Sequence, residues 1–229
     1  MLWVEEDDDE TLQPNPSHTV DFTYRIQCHA LPIEHAHSLA EAITAVLPWI
    51  NSEPNVGIHR IHVAESGNGW VRPTGQDNNS DGLLYLSRRT RLVLRLPKNL
   101  VEKAQALEGA VLDIDGNRLT VGKGQDKLLH LSNTLFARYV VTNEYDTEIQ
   151  FVDYLIDQLQ RMDIRIRKLL CGKEHTISTP KTPIHTRSVL IAELNPEESL
   201  SLQQNGIGPY RQLGCGLFIP HKDIAPVHK

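Results

Sequence analysis

The order strand, helix, strand, strand, helix, strand occurs twice along this chain of 229 residues and constrains its fold more than any single motif. Alternation of β-forming residues and helical spacing of apolar residues predict, in the first half, a strand over 20–30, a helix over 34–50, strands over 57–64 and 83–96, a helix over 98–107 and a hairpin over 111–121. The second half repeats this order with a strand over 134–142, a helix over 146–162, strands over 164–178 and 186–194, a helix from Pro196 and a final strand. The pattern predicts an α+β fold of two tandem ferredoxin-like (βαββαβ) domains.

We expect four segments along the chain: an acidic tail over 1–19, an N-terminal ferredoxin-like domain over 20–122, a linker over 123–132 and a C-terminal ferredoxin-like domain over 133–229. Six acidic residues between Glu5 and Glu10 account for the whole formal net charge of −6. The remaining acidic residues balance the 23 basic ones. The charge and composition of the tail predict a solvated, disordered segment.

Composition excludes several classes of protein. The three cysteines, Cys28, Cys171 and Cys215, are far apart and form no CxxC pair, which favours neither a disulfide framework nor a zinc site. No apolar run approaches the roughly 18 residues of a membrane helix, and the acidic N-terminus is unlike a secretory signal. We therefore expect a cytoplasmic protein with no bound metal or cofactor and no membrane contact.

Basic residues concentrate in two stretches of a sequence that is otherwise neutral. The first stretch contains Arg88, Arg89, Arg91, Arg95, Lys98 and Lys103, and the second contains Arg161, Arg165, Arg167, Lys168, Lys173, Lys181 and Arg187. Such stretches suit a phosphate backbone, although either one alone fits a solvated strand face equally well. Two of them in one neutral protein favour a nucleic-acid partner.

A glycine-rich segment precedes the last predicted strand. It runs Gly206-Ile207-Gly208-Pro209-Tyr210-Arg211-Gln212-Leu213-Gly214-Cys215-Gly216. Because glycine has no Cβ, such a segment can bring backbone N–H groups close to a phosphate. An ordinary Gly-Pro turn before an edge strand is the alternative. The doubled Gly-x-Gly favours phosphate contact, with Arg211 as the candidate phosphate ligand.

Two histidines lie in the first turn of the first predicted helix. Counting about 100° per residue from Leu39 places His35 near the buried face and His37 on the solvated side. Because they point to different faces, they do not suit a joint metal site. The positive end of the helix dipole favours the neutral imidazole, which can accept a proton. The alternative for His35 is a half-buried histidine that packs against the first strand.

Other catalytic motifs are absent from the sequence: it contains no HExxH, no GxSxG and no Walker lysine loop. What remains for an enzyme is metal-free acid–base chemistry by histidine. RNA suits such chemistry because its 2′-hydroxyl is an internal nucleophile that needs a base, an acid and phosphate-stabilising cations.

With these features the chain resembles the CRISPR repeat-processing endoribonucleases of the RAMP superfamily, and within them the Myxan-type branch. Gly206-Ile207-Gly208 and Gly214-Cys215-Gly216, five residues apart, match the family's C-terminal glycine signature. The stretches Leu31-Pro32-Ile33-Glu34-His35, Val56-Gly57-Ile58-His59 and Leu217-Phe218-Ile219-Pro220 are also similar to this branch. The resemblance covers roughly residues 20–222.

The resemblance implies a metal-independent endoribonuclease that cuts CRISPR precursor RNA once per repeat by 2′-hydroxyl attack. It further implies that the protein stays on the 3′ repeat hairpin and joins other CRISPR-associated subunits in an interference, Cascade-like complex. The alternatives are a non-catalytic RAMP-type subunit that binds RNA in an effector complex and, from another class, a small-ligand or protein-interaction module.

The expected site residues come partly from the resemblance and partly from the chemistry of the residues themselves. The family's acid–base histidine usually lies on the first helix, which points to His35, with His37 and His59 as alternatives. Tyr24, Arg88 and Lys98 are candidate auxiliary groups on chemical grounds alone. The RNA-binding residues expected from the glycine segment and the basic stretches are Gly206, Gly208, Tyr210, Arg211, Gly214, Gly216, Arg88, Arg89, Arg165, Arg167 and Lys168.

Overall fold

The structure is a computed structural model and describes residues 18–62, 82–145 and 147–221. The predicted acidic tail, apart from its last two residues, lies outside the described residues, as does nearly all of the loop predicted over 66–82. Within the described ranges, no helix is long and apolar enough to cross a membrane.

The first half forms a five-stranded antiparallel sheet with a helix packed against it. Its elements are β1 (Thr19–Gln27), β2 (Ala30–Pro32), α1 (Ala36–Val46), β3 (Gly57–Ile58), β4 (Leu83–Tyr85), β5 (Arg91–Pro97), α2 (Val101–Ala104), β6 (Val111–Ile114) and β7 (Asn117–Leu128). The sheet order is β3-β5-β1-β7-β6, while β2 and β4 pair separately. The last main strand, β7, and the strand β5 thus flank β1 on its two sides, which is the arrangement of a ferredoxin-like unit.

The second half repeats this arrangement in a four-stranded sheet. Its elements are β8 (Leu135–Val141), α3 (Glu148–Arg161), β9 (Lys168–Ile177), β10 (Ile184–Ala192), α4 (Pro196–Asn205) and β11 (Ile219–Pro220). The sheet order is β11-β8-β10-β9. Both halves therefore place the final strand beside the first one, and the predicted repeat of βαββαβ order is confirmed.

Local signals in the sequence set the limits of the long helices. Thr147 and Asn195 each accept a hydrogen bond from the backbone N–H three residues on, and the side chain at that position returns one, which makes two capping boxes. Pro196 occupies the first turn of α4, where its missing N–H costs nothing. Asp115 and Gly116, both with positive φ, form the predicted hairpin turn between β6 and β7.

Several boundaries differ from the sequence-based expectation. The predicted helix over 34–50 is α1 followed by a separate 3₁₀ turn that begins at Pro48, because proline interrupts helical hydrogen bonding. The predicted strand over 83–96 is split at Arg88 and Arg89, which form a turn between β4 and β5. Strand β7 continues to Leu128, so it runs six residues into the segment predicted as a linker.

Each half has its own hydrophobic core. Phe22, Leu39 and Leu94 belong to the first core, and Phe151 and Val189 to the second. A third buried cluster joins the halves: Ala36 of α1 packs with Tyr139, Val141, Ile177, Ile184 and Cys215 of the second half. The start of α1, where the histidines lie, is thereby fixed against the second sheet and the glycine-rich segment.

Candidate active site

His37 lies in the first turn of α1 and lines an open cleft of about 420 Å³ between the two halves. We call this the junction cleft; its lining includes His37, Glu41, Lys181, Tyr210 and Gln212. The His37 side chain is 26% exposed, and its Nδ1 lies 3.4 Å from Glu41 Oε2, one helical turn further on. The contact with Glu41 orients an accessible imidazole that can accept or donate a proton.

Tyr210 and Lys181 bring the second half of the chain to the same cleft. Tyr210 is 50% exposed and adopts a left-handed conformation, with φ 62° and ψ 38°. Such strain in a residue other than glycine is concentrated at functional sites. Lys181 is exposed in the loop between β9 and β10. A tyrosine and an ammonium group beside His37 are suited to hold a nucleotide and its phosphate.

His35 is placed quite differently from His37, as the helical spacing predicts. It is 2% exposed, its Nδ1 is 2.8 Å from the carbonyl oxygen of Pro32, and its Nε2 accepts a hydrogen bond from the N–H of Ile61 at 3.2 Å. Burial lowers the pKa of His35, although the Pro32 carbonyl opposes this effect. Backbone groups contact both ring nitrogens, so His35 is less accessible to a substrate in this structure than His37.

His59 lies in an ionic cluster under the domain junction. Its Nε2 is 3.7 Å from Asp21 Oδ1, and the same carboxylate binds Arg95. Burial lowers the pKa of His59, with Asp21 acting in the opposite direction. Burial also acts to raise the pKa of Asp21, but the contacts with His59 and Arg95 outweigh it and hold that pKa far below its ordinary value. The cluster is a structural link, and His59 does not line the junction cleft.

In the glycine-rich segment, Gly206 and Gly216 pack closely against the segment's own backbone, and Gly214 packs against Arg60 of the first half. Gly206, Gly208, Gly214 and Gly216 all have positive φ. The N–H of Ile207 donates to the carbonyl of Gly216, whose own N–H donates to the carbonyl of Tyr139 at 2.7 Å. A Cβ at Gly216 would collide with the Ile207 carbonyl. Because these N–H groups are bound within the protein, the segment differs from the exposed phosphate cradle that the sequence predicts.

Arg211 is also placed differently from the expected phosphate ligand. It is 8% exposed, and its guanidinium donates to the carbonyl groups of Gln204 and Asn205 at the end of α4 and to that of Asn55 in the first half. Burial lowers the pKa of Arg211 to about 10, with the charge of Arg95 acting in the same direction. In this structure the guanidinium satisfies the carbonyl groups at a helix end that would otherwise lack donors.

The predicted basic stretches do not form two continuous stripes. Arg95 is fully buried, and Arg167 forms an ion pair of 2.7 Å with Glu198. Of the remaining candidates, Arg88, Arg89, Arg165, Lys168 and Lys98 are exposed. Tyr24 is buried and donates to the carbonyl of Ala104 at 2.8 Å, so it does not approach the junction cleft.

Sequence reasoning missed that Lys181, Glu41 and Gln212 share a cleft with His37. The spacing of Glu41, four residues after His37, was the one local signal available. The other two lie far from His37 in the sequence, Lys181 in the loop between β9 and β10 and Gln212 in the glycine-rich segment, so no local pattern links them to it. Among the residues that the structure describes, no group of three or more His, Cys, Asp and Glu side chains is arranged to hold a metal ion.

Comparison with known proteins identifies the family. The sequence model of the family described as Cas6 Crispr matches residues 20–223. The chain belongs to the Cas6 family. A Cas6 relative from Myxococcus xanthus (strain DK1622), named CRISPR-associated endonuclease Cas6, is 28% identical over 201 residues, which cover 88% of this chain and 81% of that protein. The family resemblance predicted from the glycine signature is thus confirmed.

Solved structures support the Cas6 fold. A structure named CRISPR associated protein Cas6 has a TM-score of 0.61 with 11% identity, and the match covers 89% of this chain and 100% of that one. A second, named An RAMP protein binding different RNA substrates, has a TM-score of 0.59 with 16% identity and the same coverage. At this identity the likeness concerns the fold, and it agrees with the tandem ferredoxin-like domains seen here.

Proposed function

We propose that this Cas6-family protein is an endoribonuclease that cuts CRISPR precursor RNA within the repeats, with the junction cleft as its active site. The observation that carries the proposal is that His37 of α1 shares this cleft with Lys181 and Tyr210 of the second half. A backbone of RNA that crosses the junction would meet a proton acceptor and a cation together. The Myxococcus relative is named as an endonuclease, which supports the same activity.

In this proposal the reaction needs no metal ion. A base removes the proton of the 2′-hydroxyl, the 2′-oxygen bonds to phosphorus, and the bond to the 5′-oxygen breaks as that oxygen takes up a proton. The products are a 2′,3′-cyclic phosphate and a 5′-hydroxyl. Such a transfer uses only a positioned base and acid, with cations that stabilise the developing charge on phosphate.

Among the three histidines first considered, His37 fits the acid–base role best. It is accessible and paired with a carboxylate, whereas backbone groups engage both ring nitrogens of His35 and His59 lies in the ionic cluster with Asp21. Lys181 would stabilise the negative charge on the phosphate. Tyr210 would hold a base or ribose against the cleft wall. Such a role would explain why this residue keeps a strained left-handed conformation.

Membership of the Cas6 family supports the proposed substrate and partners. We propose that the protein binds the repeat hairpin, remains on its 3′ side after cleavage and delivers the product to other CRISPR-associated subunits in the cytoplasm. The exposed cations Arg88, Arg89, Arg165 and Lys168 are the proposed contacts with the phosphate backbone.

Cleavage of a labelled repeat RNA in EDTA tests the proposed chemistry. The expected result is full cleavage at one position in the repeat, abolished by a single 2′-deoxy substitution at the cleaved nucleotide and unaffected by that substitution elsewhere. Cleavage that requires added divalent metal, or that persists with the 2′-deoxy nucleotide, would contradict the mechanism.

A second candidate is a RAMP-type subunit that binds guide RNA without cutting it. The engagement of His35 and His59 within the protein favours this candidate, because it leaves one accessible histidine of the three. It predicts tight, salt-sensitive binding of the repeat without product under single-turnover conditions.

A further inference from the structure

An apolar row crosses the open face of the second sheet. Ile219 of β11 pairs with Phe136 of β8, Phe136 pairs with Leu190 of β10, and Leu190 pairs with Leu170 of β9. Because directly paired residues share a face, these four side chains form a straight line over all four strands. Ile219 and Leu170 are 42% and 47% exposed, and Phe136 and Leu190 are partly exposed.

The other face of the sheet explains why this row is not core. Alternate residues of the same strands, among them Leu135, Ala137 and Ile191, are fully buried together with Phe151 of α3 and Leu202 of α4. The two helices therefore cover that face. The row projects away from them, on the side of the sheet where, further along β8, Tyr139 and Val141 pack with Ala36 of α1 and Cys215 of the glycine-rich segment.

Cationic groups and a second ring flank the row on the same face. Arg138 lies two residues after Phe136, and its guanidinium carbon is 5.9 Å from the centre of the Phe136 ring. The ring of His221, two residues after Ile219, is 5.6 Å from Phe136 on another side. Lys168 lies two residues before Leu170, and alternation places it on this face as well. None of these seven residues is acidic.

We propose that this sheet face is a binding site for single-stranded RNA, in which bases stack on Phe136 and His221 while Arg138 and Lys168 contact the phosphates. Aromatic platforms edged by cations bind single strands without reading their sequence, because every base has a face to stack. A protein partner would not by itself explain cations on both sides of an apolar row. The proposal deepens the proposed function, since it gives the single strand beside a repeat hairpin a place to bind.

Binding of a labelled oligoadenylate of about 12 nucleotides, which forms no hairpin, tests this site through fluorescence anisotropy on the full chain. We expect Phe136→Ala to weaken binding about 5-fold or more and Phe136→Tyr to retain it. Arg138→Ala should also reduce the dependence of log K on log salt concentration by about 0.7. Ile149→Ala, on the exposed side of α3 and 75% exposed, is the matched control and should bind like the unaltered protein.

Two outcomes would overturn the proposal. One is unchanged affinity and salt dependence in Phe136→Ala and Arg138→Ala. The other is unchanged RNA binding together with self-association of the protein that Phe136→Ala abolishes, which would assign the row to a protein contact. Oligoadenylate binding does not depend on cleavage, so loss of binding in Phe136→Ala would support the platform even if the repeat RNA proved not to be cut.

Discussion

Arg95 donates two hydrogen bonds to the carboxylate of Asp21, from Nε at 2.8 Å and from Nη2 at 2.9 Å. Its third nitrogen, Nη1, donates to the carbonyl groups of Gln203 and Phe218, which belong to the other half of the chain. Arg95 has no exposed surface. One fully buried guanidinium therefore joins the central strand of the first sheet to α4 and to Phe218, which follows the glycine-rich segment.

Replacing Arg95 by alanine should destabilise the protein by about 3–5 kcal/mol, because it leaves the carboxylate of Asp21 and two carbonyl groups without their donor. Urea unfolding followed by circular dichroism measures this loss. Arg161→Ala is the matched control, since Arg161 forms an exposed ion pair of 2.9 Å with Asp157 and should contribute less than about 1 kcal/mol. Equal losses in the two variants would show that Arg95 does not hold the halves together.

The buried histidines make stability depend on pH in a defined direction. Burial lowers the pKa of His35 and His59 below 6.5, so the folded protein binds fewer protons than the unfolded chain just below that pH. The free energy of unfolding should therefore fall as the pH is lowered from about 7 to about 5. Asp21, whose folded pKa is depressed, adds a further loss only when the pH falls below the unfolded value of about 3.9.

Urea unfolding at several pH values measures the slope of the free energy of unfolding against pH. His35→Asn should make this slope shallower. His29→Asn, which changes an exposed histidine, should leave the slope as it is. A slope that is the same in all three proteins would contradict the assignment of His35 as a buried neutral imidazole.

Two glycines with similar φ distinguish backbone strain from close packing. Gly116 has φ +80° and open space at the position where an alanine methyl group would lie, whereas Gly216 has φ +67° and lies against the Ile207 carbonyl. Gly116→Ala should therefore cost about 1–2 kcal/mol from its conformation alone. Gly216→Ala should cost about 1–3 kcal/mol more because of the collision. Thermal unfolding of both variants checks the difference, and equal losses would mean that the paired glycines are not needed for packing.

The fold is largely predictable from the sequence because each half carries strong local signals. Helical spacing in α1, the caps at Thr147 and Asn195 and the Asp115-Gly116 turn all act within a few residues. The sequence overestimates the length of strand β3. The alternating pattern continues through His59 and Ile61 and predicts a strand over 57–64, but only Gly57 and Ile58 pair with β5. Pairing of that kind depends on residues far away in the chain.

The site is less predictable because it is made by contacts over long sequence distances. The spacing of His35 and His37 correctly separates a buried from an accessible histidine. It does not show that the two ring nitrogens of His35 contact the carbonyl of Pro32 and the N–H of Ile61. The doubled glycines predict a phosphate cradle, whereas in the structure Gly206 and Gly216 pack against the backbone of their own segment. Likewise, no local pattern marks Arg95 and Arg211 as buried arginines.

Lys181 should matter for the rate of cleavage more than for the fold. Because it is exposed in a loop at the rim of the junction cleft, Lys181→Ala should unfold at the same urea concentration as the unaltered protein. The single-turnover rate of RNA cleavage by this variant should fall at least about 10-fold if the charge of Lys181 stabilises the phosphate. Lys173→Ala is the matched control on a neighbouring strand. An unchanged rate in Lys181→Ala would remove Lys181 from the proposed site.

The most direct test of the junction cleft is the single-turnover cleavage rate of repeat RNA by His37→Ala, measured in EDTA beside its affinity for the same RNA. Loss of a general acid–base group should lower the rate about 100- to 10,000-fold while the affinity stays nearly unchanged. The exposed histidine variant His29→Ala should cut like the unaltered protein. Cleavage by His37→Ala at the unaltered rate would contradict the account, since the reaction would then take place outside the junction cleft or rely on another group.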